Sequence, residues 1–312
     1  MLKNRVLTAL VLACVILPGV WFLPPLWFAV VFGVVIALAG WEWAGLAGLA
    51  TAPTRAGFVL VLAAWMLTGP QWAEYALDWL AWPVVVWWFV IGFLLRRVPG
   101  KLLALHYPVA VKLPIGFFVL LTAWILMVWL RVNFGVAQVL YLLLLVWAAD
   151  IAAYFVGKRF GVTKLAPEIS PGKTVEGLYG ALAAALAMAL AVSLYLEFEA
   201  IKTLDFAMLS IVTVLFSVTG DLFESLLKRV RGVKDSGDLL PGHGGLLDRI
   251  DSLLAAISVF YAGSLFLEIF LGSIEGTVVV PPEQMGSFEP SRVLAVAAAF
   301  VQSGFGLLEN VL

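Results

Sequence analysis

Cysteine is almost absent. The 312-residue chain has one, Cys14, which excludes an intrachain disulfide and any multi-cysteine metal site. Histidine is nearly as scarce, with only His106 and His243. Neither neighbours Cys14 or the other in sequence, so the donors for a zinc site are missing. Charged residues make up just 12% of the chain and the net charge is −1, so no basic field argues for nucleic acid as a partner. No internal repeat is visible, as the related halves of many transporters would show. The amino terminus has the basic Lys3 and Arg5 and an apolar run, but LPGVWFLPP is bulky where a signal-peptide cleavage site needs small residues. A retained first span is expected.

What is present is apolar. Hydrophobic residues reach 63%, against roughly 45–50% in soluble domains. The mean hydropathy is +1.05, and thirteen tryptophans suit aromatic belts at two membrane interfaces. A membrane span needs about 20 apolar residues. Candidates are 6–23, 26–49, 57–70, 83–95, 114–131, 136–156, 175–196, 206–227 and 252–272, with 291–311 as a weaker tenth carrying Gln302 and Glu309. The third and fourth are short, which leaves them tilted, broken, or extended by the tryptophan-rich stretch 72–82. The expected fold is therefore an all-α polytopic integral membrane protein of about nine transmembrane helices. Basic residues alternate along it. They fall at Lys3/Arg5, Arg55, Arg96–Lys112, Lys158–Lys173 and Lys228–Lys234, with Arg131 the exception. By the positive-inside rule the amino terminus and loops 157–174 and 228–250 are cytoplasmic. The chain divides into an N-terminal membrane region (1–113), a catalytic membrane region (114–272) and a C-terminal extension (273–312) of open role.

The charges that do occur are concentrated. The stretch from Asp221 to Asp251 holds Asp221, Glu224, Asp235, Asp238, Asp248 and Asp251 with Lys228, Arg229, Arg231, Lys234 and Arg249, and His243 sits among glycines. Acids within or beside membrane-length runs are costly and mark functional sites. Asp221, Glu224 or Ser225, and Lys228 recur at helical spacing and so share one helix face. Asp248 and Asp251 lie one turn apart at the start of the next span. Asp150 is a further acid inside an apolar run, about 12 Å of helix from Lys158. Downstream, Gly172-Lys173-Thr174 is not a phosphate-binding P-loop, because Pro167 stands where that motif needs its first glycine. A tight turn at Ser170-Pro171-Gly172 is expected instead. It would present Lys173 and Thr174 at a helix start, where backbone N–H groups favour phosphate.

Two functions accommodate these groups: an ion-coupled transporter, or a membrane enzyme that holds metal on Asp and phosphate on Lys and Arg. The polar residues cluster at the cytosolic border beside glycine-rich loops, which favours the enzyme.

The ordered run Ser225-x-Leu227-Lys228-Arg229, Lys234-Asp235, Pro241-Gly242-His243-Gly244-Gly245-x-x-Asp248-Arg249-x-Asp251 resembles the signature of the phosphatidate cytidylyltransferase (CDP-diacylglycerol synthase) family. AADIAAYFVGKRFG and KLAPEISPGKTVEG resemble it too, with Ile151-Ala152 where the family pattern has Ser-Gly. The resemblance covers about residues 1–272. It implies transfer of a cytidylyl group from CTP to phosphatidate in phospholipid biosynthesis, with Mg2+ as cofactor. The site would face the cytosol from a bacterial cytoplasmic (inner) membrane, with homodimerisation left open. On that basis Asp221 and Asp248 are expected as metal ligands, with Asp150 and Asp251 beside them. Lys173, Lys228, Arg229, Lys234 and Arg249 would hold phosphate oxygens, and Gly244 and Gly245 would let backbone approach the nucleotide. Thr174 and Ser225 would contact substrate, and Asp235 and His243 complete the expected catalytic set.

Overall fold

The computed structural model describes residues 13–239 and 244–266, with the backbone alone over 70–80. Its helices are α1 (Ala13–Phe22), α2 (Pro25–Ala47), α3 (Ala52–Arg97), α4 (Pro99–Ala104), α5 (Val109–Asn133) and α6 (Val136–Phe160). A hairpin of β1 (Lys164–Ala166) and β2 (Ser170–Thr174) follows, then α7 (Val175–Tyr195), α8 (Ala200–Arg231) and α9 (Leu247–Phe266). Among the described residues, six helical segments are long and apolar enough to cross a membrane: α2, residues 52–69 of α3, α5, α6, α7 and α8. The predicted span 291–311, the extension 273–312 and His243 lie outside the described residues.

The predicted third and fourth spans lie on one continuous helix. α3 runs for 46 residues, extended through the tryptophan-rich stretch. Pro24-Pro25 ends the first run as expected, and Pro25 opens α2 at a position where a missing N–H costs nothing.

α9 is the centre of the molecule. It packs against α2, α3, α5, α6 and α8, and every residue from Ile250 to Ala262 is buried. SLLAAISVFYA is apolar all round, and such a helix is stable only when enclosed. The outer helices turn large apolar side chains outward, among them Phe22, Leu67, Phe89 and Tyr195. In water such surface would be a liability; against lipid it is solvated.

The approach of α8 to α9 is closest at Gly220. A β-carbon there would lie 2.4 Å from the Asp251 carbonyl oxygen and 3.1 Å from the Ala255 β-carbon. The glycine thus sets Asp221 beside Asp251. Gly220→Ala forces the two helices apart, at a cost of about 1–3 kcal/mol of the kind overpacked cores incur. A lower unfolding temperature in detergent and reduced turnover are expected together. An unchanged melting curve would show that the crossing tolerates the methyl group.

The expected tight turn at Ser170-Pro171-Gly172 does not form. Those residues lie on β2, which pairs antiparallel with β1 (Lys164 opposite Thr174, Ala166 opposite Ser170), and the chain reverses at 167–169. In a two-stranded ribbon both strands are edges, so Pro171 is tolerated without an N–H. Among the described residues the regular structure is therefore helical apart from this hairpin. Lys173 and Thr174 still arrive at a helix start, because Thr174 is the N-cap of α7 and its Oγ1 accepts the Gly177 N–H at 3.1 Å.

Candidate active site

Two lysines divide the acids between them. Lys173, at the end of β2, meets Asp221 of α8, with Nζ 2.6 Å from Oδ2. Asp150 on α6 and Asp251 on α9 both interact electrostatically with this pair. Three helices and the hairpin therefore aim charge at one place, as the spacing of the acids predicted. The Lys173 and Asp221 side chains keep 24% and 29% of their surface, so the pair is open to an incoming ligand.

The second lysine is closed in. Lys228 contacts Glu224 Oε2 at 2.9 Å, one turn back on α8, and also Asp248 Oδ1. Only 12% of Lys228, 3% of Glu224 and 8% of Asp248 remain exposed. Asp248 Oδ2 accepts the Ser236 N–H at 2.9 Å and the Gly245 N–H at 2.9 Å, with the Ser236 hydroxyl at 3.0 Å. Both oxygens of Asp248 therefore meet protein donors, Lys228 on one and the loop backbone on the other. It is held ionised and ties together the two ends of the loop between α8 and α9. A metal at Asp248 would first have to displace Lys228.

The other expected residues are distributed around these two centres. Ser225 Oγ donates to Asp221 Oδ1 at 3.3 Å, so it steadies the acid from one turn away. Thr174 is buried as a helix cap, which occupies its hydroxyl oxygen. Arg229 Nε donates to the Ile169 carbonyl at 3.2 Å and fastens the end of α8 to the hairpin that carries Lys173. Lys234, Asp235 and Arg249 are exposed around the loop. Gly244 has φ +81°, and a β-carbon there would lie 3.1 Å from Asp248 Oδ2.

Glu42 and Ser236 were not singled out from the sequence. Glu42, on α2, is 2% exposed; it accepts the Leu246 and Leu247 N–H groups and lies 3.0 Å from the Ser236 hydroxyl, which it shares with Asp248. Its signal was available: it is an acid within the apolar run 26–49, the same feature that drew attention to Asp150. Ser236 carries no such mark.

The donor set is compatible with a hard cation. Five carboxylates (Asp150, Asp221, Glu224, Asp248, Asp251) stand against the two lysines paired with them. Glu224 Oε1 is buried and meets no N–H or hydroxyl donor among the described residues; its carboxyl group faces that of Asp251. Among the described residues no three His, Cys, Asp or Glu are close enough to hold a metal by themselves. Mg2+ does not need three, since it takes one or two carboxylates plus phosphate oxygens and water.

Comparison with known proteins identifies the family. The family model described as "Cytidylyltransferase family" matches residues 3–267. The phosphatidate cytidylyltransferase of Pseudomonas aeruginosa is 44% identical over 278 residues, covering 84% of this chain and 96% of that protein. That of Haemophilus influenzae is 37% identical over 286 residues, covering 83% and 97%. That of Bacillus subtilis is 43% identical over 129 residues, 41% of this chain and 48% of the relative. A match that runs from the first apolar segment through α9 takes in every helix of the described structure, not the acidic loop alone. The chain belongs to the cytidylyltransferase family.

Proposed function

We propose that this protein transfers the cytidylyl group of CTP to phosphatidate, giving CDP-diacylglycerol and pyrophosphate. The observation that carries the reading is the open Lys173–Asp221 pair, bordered by Asp150 and Asp251 at the end of a helical membrane bundle. Similarity to phosphatidate cytidylyltransferases over 84% and 83% of this chain supports it. A phosphatidate oxygen attacks the α-phosphorus of CTP, the bond to the β-phosphate breaks, and pyrophosphate leaves with the electron pair. A phosphate monoester is largely ionised near pH 7, so the attacking oxygen needs no strong base. Positioning and charge neutralisation carry such transfers.

Lys173 is the cation best placed for the reacting phosphates, because its side chain is partly exposed and rests on an acid that a substrate or a metal can rearrange. Arg229, Lys234 and Arg249 supply further positive charge at the rim, and Lys228 holds the loop through Asp248. Asp221 is the first candidate ligand for Mg2+, with Asp150 and Asp251 beside it and Asp248 joining only if Lys228 moves. Bound there, the metal would offset phosphate charge. Gly244 brings backbone to the edge of the site, where the nucleotide would lie, while the buried Gly245 gives its N–H to Asp248.

The direct test is an assay of purified protein with CTP and phosphatidate, set against other lipid phosphates and other nucleotides, reading CDP-diacylglycerol and pyrophosphate. A preference for another lipid phosphate would change the substrate but keep the chemistry. Ion-dependent solute uptake in proteoliposomes, without pyrophosphate release, would replace the enzyme with a transporter.

The site lies on the cytosolic side of a bacterial cytoplasmic membrane in this reading, as the alternation of basic loops implies. In a Cys14→Ser background, Asp238→Cys should react with a membrane-impermeant thiol reagent only from the cytosolic side. Asp238 is exposed in the loop between α8 and α9, which suits it to labelling. Labelling from the outside alone would sink the placement, because CTP is cytosolic.

A further inference from the structure

Glu42 is buried in α2, and among the described residues no basic side chain pairs with it. Its carboxylate is nevertheless fully used. Oε1 accepts the Leu246 N–H at 3.0 Å, and Oε2 accepts the Leu247 N–H at 2.7 Å and lies 3.0 Å from the Ser236 hydroxyl. These partners stand 194 to 205 positions away in sequence.

A helix start leaves backbone N–H groups without partners, and an N-cap side chain normally accepts from them. α9 begins at Leu247 without one, because the residue before it is Leu246, whose side chain can accept nothing, and before that comes Gly245. No side chain fits there: a β-carbon would fall 1.9 Å from Ser236 Oγ and 2.5 Å from Glu42 Oε2. Asp248, in the first turn, folds back to accept the Gly245 N–H. Glu42 accepts the next two N–H groups, those of Leu246 and Leu247, from a different helix, with a carboxylate at the positive end of α9. Ser236, at the opposite end of the loop, sits between the Glu42 and Asp248 carboxylates at 3.0 Å from each.

We propose that Glu42 is a positioning residue for the reaction: it serves the start of α9 in place of a capping side chain and fixes residues 244–247 relative to Ser236. In doing so it sets the backbone that approaches the nucleotide. The inference rests on the cytidylyltransferase reading for what the loop binds. It assigns the N-terminal membrane region a part in the active site. Glu42 does not touch substrate, since it is enclosed and its oxygens face protein donors.

The test is Glu42→Gln, nearly the same size and still able to pack. One amide oxygen can serve Leu247 and Ser236, but the NH2 group then confronts the Leu246 N–H, donor against donor. The expected result is a KM for CTP raised by about tenfold, as for the loss of one buried charge-assisted contact. The KM for phosphatidate should hold within about twofold, as distant, independent groups do. Hydrogen exchange at Leu246 and Leu247 should quicken while the 253–262 core of α9 stays protected. Ser236→Ala should move both readouts in the same direction by less. The double variant should add little to Glu42→Gln alone, since the two residues act in one network. If Glu42→Gln does not insert, the Ser236→Ala result decides by the same criteria. Unchanged KM for CTP and unchanged exchange at 246–247, in a preparation whose unmutated protein makes CDP-diacylglycerol, would overturn the proposal. A uniform loss of rate with both KM values intact would also overturn it, reducing Glu42 to a structural acid. Should the unmutated protein make no CDP-diacylglycerol, the proposed reaction fails instead, and the exchange experiment alone decides whether Glu42 fixes the loop.

Discussion

Asp221→Asn lowers the rate of CDP-diacylglycerol formation by about a hundredfold or more, the scale on which lost transition-state charge stabilisation is felt. The protein should remain folded and inserted, because Asp221 is 29% exposed and its loss leaves no buried charge stranded. Lys173, its partner at 2.6 Å, is 24% exposed and free to swing toward an incoming phosphate. Lys173→Ala should cost about tenfold or more in rate or in CTP affinity, as the loss of a charge-assisted contact does. Chelation with EDTA should abolish activity in the unmutated protein and added Mg2+ should restore it. Asp221→Asn should need a higher Mg2+ concentration for whatever rate it retains. Full activity in Asp221→Asn would remove it from the site, and unchanged kinetics in Lys173→Ala would return that lysine to a topological charge.

Asp248→Asn should be as damaging to turnover, on the order of a hundredfold, by a different route. Asp248 faces Lys228 with one oxygen and two N–H groups and a hydroxyl with the other, and only 8% of it is exposed. Removing one member of a buried ion pair costs about 3–5 kcal/mol when the other is stranded. Here Glu224 still holds Lys228 at 2.9 Å, so the loss falls below that range. Thermal unfolding in detergent separates the two acids: Asp248→Asn melts earlier and Asp221→Asn does not. The double variant tests whether they serve one reaction centre. Groups acting as a unit are non-additive, so the second substitution should cost little beyond the first. Multiplicative losses would mean two independent sites, and full activity in Asp248→Asn would remove it from the catalytic set.

Much of the site was legible as a string of residues. Asp221, Glu224 or Ser225, and Lys228 were expected on one face of a helix, and they are: Ser225 donates to Asp221, and Lys228 to Glu224. Asp150 stood out as an acid among leucines and alanines, and it does interact with the Asp221–Lys173 pair. The local backbone around Lys173 was less legible. Ser-Pro-Gly is common turn chemistry, yet here it lies on a strand, because pairing with Lys164–Ala166 satisfies backbone groups that a turn would leave exposed.

By itself the sequence determined the class and the family. Apolar composition decides between water and lipid without reference to any contact, and the run from Ser225 to Asp251 is contiguous enough to be read directly. Helical spacing likewise determined which acids share a face, since a period of 3.6 residues is a property of the chain alone. Only the tertiary structure decided which acid each lysine serves. It left Asp221 open on Lys173 while enclosing Asp248 with Lys228 and two loop ends. It also decided that the start of α9 is capped by Glu42 from α2. The reason is distance along the chain. A hydrogen bond spanning 205 positions depends on how helices pack, and at Gly220 and Gly245 that packing is set by the absence of a single carbon atom.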